Sequence, residues 1–366
     1  MFNLGETCMK KTLIALAAFA AAGAASAQSS VTLFGIVDAA VTIGRGDATD
    51  FTGLTTNGYN SSRLGFRGVE DLGGGLQASF WLEAGIETDT GLGQATNETN
   101  LASGTGAAVA GRQGLTFNRR STISLAGGFG ELRVGRDYTP AFWNFTVFDP
   151  FGTNGVGTNQ AYLGYAAAYG PTAVRASNSI GYFLPRNIGG FYGQAQYHFG
   201  EQSGAVAGIG EDDGNGYGLR LGYAAGPFDV AIAYGNTELA AGDRTNLNVA
   251  GAWNFGMAKV VAQYSRTESD AAGAFDVNGW MLGATAPVGA GEIRASYGQT
   301  EVDGGGDARG RKLALGYVHN LSKRTAVYTT IARVRNDGGA SFGIGGAAAG
   351  VNGDATGFDL GVRHSF

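Results

Sequence analysis

Leu76-Gln77-Ala78-Ser79-Phe80-Trp81-Leu82-Glu83-Ala84-Gly85-Ile86-Glu87 decides how the rest of the chain is read. Leu76, Ala78, Phe80, Leu82, Ala84 and Ile86 fall on one parity, and Gln77, Ser79, Glu83 and Glu87 on the other. Successive side chains of an extended strand point to opposite faces, so this segment is a strand with one apolar and one polar side. The period returns upstream, where Val31, Leu33, Val37, Val41 and Ile43 oppose Thr32, Asp38 and Thr42. It returns downstream as well: Tyr217, Leu219, Leu221 and Tyr223 alternate with glycines and Arg220, and Leu247, Val249, Trp253 and Phe255 alternate with asparagines.

Followed along the chain, the alternation gives sixteen segments, at about 30–43, 61–70, 75–87, 115–126, 129–138, 175–184, 190–199, 215–225, 227–237, 244–255, 258–268, 276–286, 290–300, 310–320, 324–335 and 355–366. The alternation is weakest in 324–335. Short connections built on Asp71–Gly74, Gly127-Gly128, Gly226, Gly256, Gly289 and Asn320–Lys323 alternate with long ones at 44–60, 88–114, 139–174, 200–214 and 336–354. An even number of strands of about ten residues, with tight turns at one end and long loops at the other, predicts an all-β fold: a 16-stranded antiparallel transmembrane β-barrel. Closure follows because an unpaired strand edge cannot face lipid. Outward parity then carries the apolar residues, and aromatics such as Tyr197, Tyr217, Tyr234, Trp253 and Trp280 gather on it as interfacial girdles.

Composition agrees. The 366 residues include 65 glycines and only 15% charged residues, with 44% apolar. The mean hydropathy is near zero, as expected when one face meets lipid and the other water. Inner-parity glycines (Gly216, Gly218, Gly222, Gly316) read as the lining of an unfilled lumen.

At the start, Lys10-Lys11, an apolar run from Leu13 to Gly23, and Ala25-Ser26-Ala27 predict a signal peptide over residues 1–27. Met9 is the better start codon for it. Residues 28–366 form a single barrel domain. Cys8, the lone cysteine, leaves with the leader, which excludes disulfide and thiolate chemistry from the mature chain. The mature chain carries 23 basic and 29 acidic residues, a net charge of −6.

Parity sorts the charges. Arg63, Arg67, Arg120, Arg133, Arg175, Arg220, Lys259, Arg294, Lys312 and Arg363 face inward, against Asp38, Glu83, Glu87, Glu131, Asp137, Asp229, Glu292 and Asp359. The wall is thus weakly positive. The acidic excess falls in loops, at Glu211-Asp212-Asp213 and at Glu301, Asp303 and Asp307. A mild anion preference beneath an acidic mouth is expected, because few charges in a narrow gap outweigh many in a wide, salt-screened one.

Enzymatic readings find no support. His198, His319 and His364 lie on separate strands without metal-ligand spacing, and neither a nucleophile elbow nor a Walker loop occurs. Gly343-Ile344-Gly345 is half a dinucleotide fingerprint but opens no helix. Neither cofactor nor metal is expected, and the acidic balance argues against a nucleic-acid partner.

Specific stretches go further. Ser30-Val31-Thr32-Leu33-Phe34-Gly35 is one, and Ser62-Arg63-Leu64-Gly65-Phe66-Arg67-Gly68-Val69-Glu70-Asp71-Leu72-Gly73-Gly74-Gly75 is another. With Arg119-Arg120-Ser121-Thr122-Ile123-Ser124-Leu125, Gly130-Glu131-Leu132-Arg133-Val134-Gly135-Arg136 and the terminal Phe366, they make the chain resemble the trimeric general porins of Gram-negative outer membranes, above all the beta-proteobacterial branch. The resemblance covers the whole mature chain. It implies a homotrimer in outer-membrane lipid and lipopolysaccharide that passes ions and small hydrophilic solutes by passive diffusion.

It also implies that the third long loop, 139–174, folds inward to narrow the pore, with Asp149 as its acid and Phe142, Trp143, Phe145, Phe148 and Phe151 as its anchors. A ladder of arginines on the facing wall carries over to Arg63, Arg120 and Arg175, joined on inner parity by Arg67 and Arg133. Arg136 shares parity with Leu132 and Val134 and is left out. Asp38, Glu83 and Glu87 are expected as lumen acids. Phe366 corresponds to the family's assembly signal. The alternative is a substrate-specific channel for a sugar or organic anion, which would carry luminal aromatics; strand parity supplies only Phe34, Trp81 and Tyr192.

Overall fold

A computed structural model describes residues 30–97, 100, 114–186, 188–202, 210–304 and 306–366. The signal-peptide reading of 1–27 lies outside the described residues.

Seventeen strands form one sheet. They are β1 (Ser30–Gly46), β2 (Phe51–Thr56), β3 (Arg63–Gly73), β4 (Leu76–Gly85), β5 (Arg120–Gly127) and β6 (Gly130–Tyr138), followed after the third loop by β7 (Arg175–Phe183), β8 (Phe191–His198) and β9 (Gly216–Ala225). The rest are β10 (Phe228–Thr237), β11 (Arg244–Asn254), β12 (Lys259–Ser269), β13 (Val277–Val288), β14 (Gly291–Val302), β15 (Ala308–Asn320), β16 (Thr325–Asp337) and β17 (Asp354–Ser365). Every pairing is antiparallel and, apart from β1 with β3, joins chain neighbours; β1 closes the circle on β17 from Ile36↔Ser365 to Gly46↔Ala355. Sixteen strands make the barrel; all sixteen segments read from the alternation are present, the weakly alternating one as β16.

The extra strand, β2, falls within 44–60, where the alternation predicts a loop. It returns antiparallel on the upper part of β1, Ala39↔Thr56 to Gly44↔Phe51, while β3 pairs with the lower part, Ser30↔Val69 to Ile36↔Arg63. The C-terminus completes the seam: Gly35 and Phe366 exchange both backbone hydrogen bonds at 3.1 Å.

The faces are inverted relative to a soluble protein. Val31, Leu33, Leu219, Leu313 and Leu360 all point outward, more than half exposed. Outward aromatics pair in two belts. Tyr217–Tyr234 and Trp280–Tyr297 lie toward the long-loop end, and Phe228–Trp253 with Phe255 at the short-turn end. Rings with one apolar and one wet edge suit that depth.

Inside, the third loop occupies part of the lumen, as the resemblance implies. The third loop contains two helices, α1 (Pro140–Val147) and α2 (Gln160–Tyr169), which pack on β8–β11 and β11–β15 respectively. Inner-parity glycines there make room for the loop rather than for water. A Cβ at Gly218 would fall 2.9 Å from the Pro140 ring, one at Gly283 2.5 Å from Pro150, and one at Gly316 2.9 Å from Phe151.

Candidate pore constriction

The third loop is built to stay inside. Thr139 caps α1, its hydroxyl accepting from the Phe142 N–H, with Pro140 in the first turn, where its missing N–H costs nothing. Asn159 caps α2 through the Ala161 N–H at 2.9 Å. Phe148 is fully buried among Ala231, Ala250, Ala252, Val261 and Met281 of the wall, and Phe151 packs on Ala314, Ala332 and Val334. Phe145 stacks on Tyr165 with centroids 4.5 Å apart, holding the two helices together.

Asp149, the acid of this loop, borders the cavity and also staples the loop. It is buried, and its carboxylate accepts the N–H groups of Phe151 (2.9 Å), Thr153 (3.0 Å) and Asn159 (3.1 Å). Burial pushes its carboxyl above the usual range, against the lowering pull of those donors and of the Lys312 ammonium beneath the loop.

Facing the loop lies an open cavity of about 830 Å³. Its wall carries Arg63, Arg119, Arg175 and Arg294; Tyr138, Phe142, Trp143 and Tyr162 border it on the loop side. Three of the arginines gather around a single acid, Glu83. Arg119 donates from Nε to Glu83 at 2.7 Å and from Nη2 to the Tyr138 hydroxyl at 2.8 Å. Arg63 reaches the same carboxylate at 3.2 Å. Arg175 lies 4.6 Å over the Tyr138 ring, donates to its hydroxyl at 3.1 Å, and has no acidic partner among the described residues. The Trp81 indole N–H donates to the other Glu83 oxygen at 3.0 Å. The cluster keeps an excess of two positive charges, and guanidinium holds its charge at any physiological pH.

Arg119 was missed because parity fails there. It precedes β5, whose ladder with β4 begins at Glu83↔Arg120, so its side chain is free to turn inward. Its signal in the sequence was the arginine doublet at a strand start.

The five predicted arginines do not form one layer. Arg63 and Arg175 line the cavity with Arg119; Arg67 and Arg133 lie nearer the short turns, and Arg120, at the head of β5, does not border the cavity. Arg67 is exposed to the lumen over Phe34 (5.3 Å) and Trp81 (5.2 Å), without an acidic partner among the described residues. Arg120 covers the same indole at 4.7 Å and sits 3.8 Å from Asp137. Arg133 is held by Glu131 at 2.8 Å and Asp137 at 2.5 Å, and it lines a second cavity at the short-turn end. Arg136, by contrast, donates to the Asn118 carbonyl and the Ser177 hydroxyl.

The lumen acids also divide. Glu83 lines the arginine cluster. Asp38 is fully buried under the first loop, and Glu87 lies past the end of β4, where it accepts from the Thr90 hydroxyl. Glu301, expected in a loop, belongs to β14 and is bound by Arg309 at 2.7 Å. Luminal aromatics are more numerous than strand parity gave, because Tyr59, Phe142, Trp143 and Tyr162 come from loops.

Comparison with known proteins decides the family: a model of Gram-negative porins matches residues 12–339. The chain belongs to the Gram-negative porins. It is 39% identical to outer membrane porin protein 32 of Delftia acidovorans, over 98% of this chain and all of that one. It is 30% identical, over 98% of this chain, to an outer membrane porin protein of Bordetella pertussis. Among solved structures, an anion-selective porin from Comamonas acidovorans superposes with a TM-score of 0.79 at 37% identity, covering 93% of this chain and all of that one. Salmonella typhi OmpF, at 15% identity and a TM-score of 0.65, shares the fold. This porin is accordingly a channel protein of the outer membrane.

Proposed function

We propose that the barrel is a general diffusion pore with a mild anion preference set between the third loop and Arg63, Arg119 and Arg175. The observation that carries the reading is the imbalance at Glu83: Arg63 and Arg119 share its one carboxylate, and Arg175 beside them, bound to the Tyr138 hydroxyl, adds a third guanidinium with no acidic partner among the described residues. Fixed charges lining a narrow passage act on a permeating ion more strongly than the acidic loops at the wide mouth, which salt screens within about 10 Å at 0.1 M. The likeness to a porin described as anion-selective supports the same sign. Arg67 and Arg133 extend the positive wall toward the short turns, with Arg120 at the head of β5. The assembly is a homotrimer set in lipid and lipopolysaccharide, with Phe366 as its assembly signal and residues 1–27 removed on export, as the family resemblance implies.

The test is a planar-bilayer recording in a potassium chloride gradient. A reversal potential on the chloride side with closures in steps of three is expected; strong cation selectivity would overturn the reading. A narrower channel for organic anions is favoured by one observation, the loop-borne aromatics beside the arginines. Block of the chloride current by a small carboxylate, with no effect of neutral sugars, would separate it from the general pore.

A further inference from the structure

The sheet explains why the first loop enters the lumen. β1 is paired by β3 up to Ile36 and by β2 from Ala39 onward. The connecting residues 57–62 leave the sheet between those partners, at the level of Asp38. There the Asp38 carboxylate points inward and is wrapped. One oxygen accepts the Gly58 N–H at 3.1 Å and the Tyr328 hydroxyl at 2.5 Å; the other accepts the N–H groups of Tyr59 (3.0 Å) and Asn60 (2.7 Å). Three successive amides converging on an anion form a nest.

The sequence is suited to making it. Asn57 adopts φ 67°, the left-handed conformation that asparagine tolerates, and its side chain accepts the Ser62 N–H at 2.6 Å. Gly58 has no space for a Cβ, which would lie 2.3 Å from the Tyr328 hydroxyl.

The consequence appears at Tyr59. Its ring packs 5.5 Å from that of Tyr328 and carries the Arg294 guanidinium at 4.4 Å on its face; Arg294 also donates to the Tyr59 hydroxyl at 2.9 Å. Arg363 lies 5.2 Å over the same ring. Next along, the Ser61 hydroxyl donates to Asn154 of the third loop at 2.8 Å. Tyr59, Asn60, Ser61 and Arg294 all border the cavity.

We propose that residues 57–61 are a second constricting element and that Asp38 is its positioning residue. By seating the loop, Asp38 holds Tyr59 under Arg294 and closes the side of the pore that the third loop leaves open. Asp38 itself touches no permeating ion. The inference rests on the pore reading above and adds a second determinant of width and selectivity to it.

The test compares single-channel conductance and reversal potential of the full-length porin with those of Tyr59→Ala, Tyr59→Phe, Asp38→Ala and the Tyr59→Ala/Asp38→Ala double variant, each checked for assembly by heat-modifiable gel migration. Tyr59→Ala is expected to raise conductance by about 1.5-fold or more and to weaken the anion preference, since it widens the gap and leaves the Arg294 guanidinium held by Glu292 alone, at 2.7 Å. Tyr59→Phe keeps the ring and stays near the parent. Asp38→Ala is expected to copy Tyr59→Ala, and the double variant to go no further, because one residue acts through the other. Should Asp38→Ala not assemble, Gly58→Ala is expected to give the same two shifts by pushing the loop off Tyr328. A silent Tyr59→Ala, or effects that add in the double variant, would overturn the inference. A parent that does not conduct, or conducts without anion preference, fails the pore reading instead.

Discussion

The lumen has two walls of the same parity and opposite character. On β9–β15 many inward residues are small, such as Gly218, Ala231, Ala250, Gly283 and Ala314, and the third loop packs on them, with Lys312 buried beneath it and Arg220 donating to Asn144. On β3–β7 they are Arg63, Arg67, Trp81, Glu83, Arg120 and Asp137: Arg63 borders the cavity, Arg67 is exposed to the lumen, and the acids are buried among the guanidiniums. Alternation therefore says which side chains point inward, while their size and charge say what they meet there. A run of small inner residues marks the docking surface; a cluster of large charged ones marks the pore.

The two walls should respond differently to substitution. The largest effect is expected on the covered wall. Phe148→Ala empties a fully buried site, and deletions of that kind cost about 3–5 kcal/mol. The third loop should loosen, seen as protease cleavage within 139–174 and larger, noisier conductance, while the barrel persists. Gly283→Leu attacks the same contact from the wall side and should cost about 1–3 kcal/mol by overpacking against Pro150.

On the bare wall, Arg175→Gln should leave loop and barrel intact but reduce the excess charge around Glu83 from two to one, shifting the reversal potential toward zero; Glu83→Gln should shift it the other way. Arg67→Gln, farther from the cavity, should lower chloride conductance at low salt with little change in selectivity, because its field is screened sooner.

The smallest effect is at the mouth. Burial and the neighbouring Asp212 and Asp243 push the Glu238 carboxyl above its usual range. A raised carboxyl takes up its proton first as pH falls, so mild acidification should remove negative charge from the mouth and slightly strengthen the anion preference. Reversal potentials taken down a pH series would show it.

The barrel was legible because strands obey a period of two, and that rule holds wherever a ladder continues. It gave the sixteen strands and the inward direction of Arg63, Arg67, Arg120 and Arg133. It could not give β2, whose six residues pair only with β1, or α1 and α2, whose apolar sides face a protein wall on one hand and each other on the other. Arg119 escaped because it stands one residue outside the ladder. Asp38 was read as a lumen acid because nothing in its own strand shows that residues 57–60 return to cover it. The stapling role of Asp149, the loop's acid, is not legible because its partners are backbone amides, which leave no mark in the sequence.

The claim that a surplus of guanidinium at Glu83 sets the preference for anions is tested most directly by the reversal potential of the porin and of Arg175→Gln in one potassium chloride gradient. The geometry predicts a parent on the chloride side and a variant displaced toward zero at similar conductance. A parent on the potassium side, or a variant indistinguishable from it, would contradict the claim.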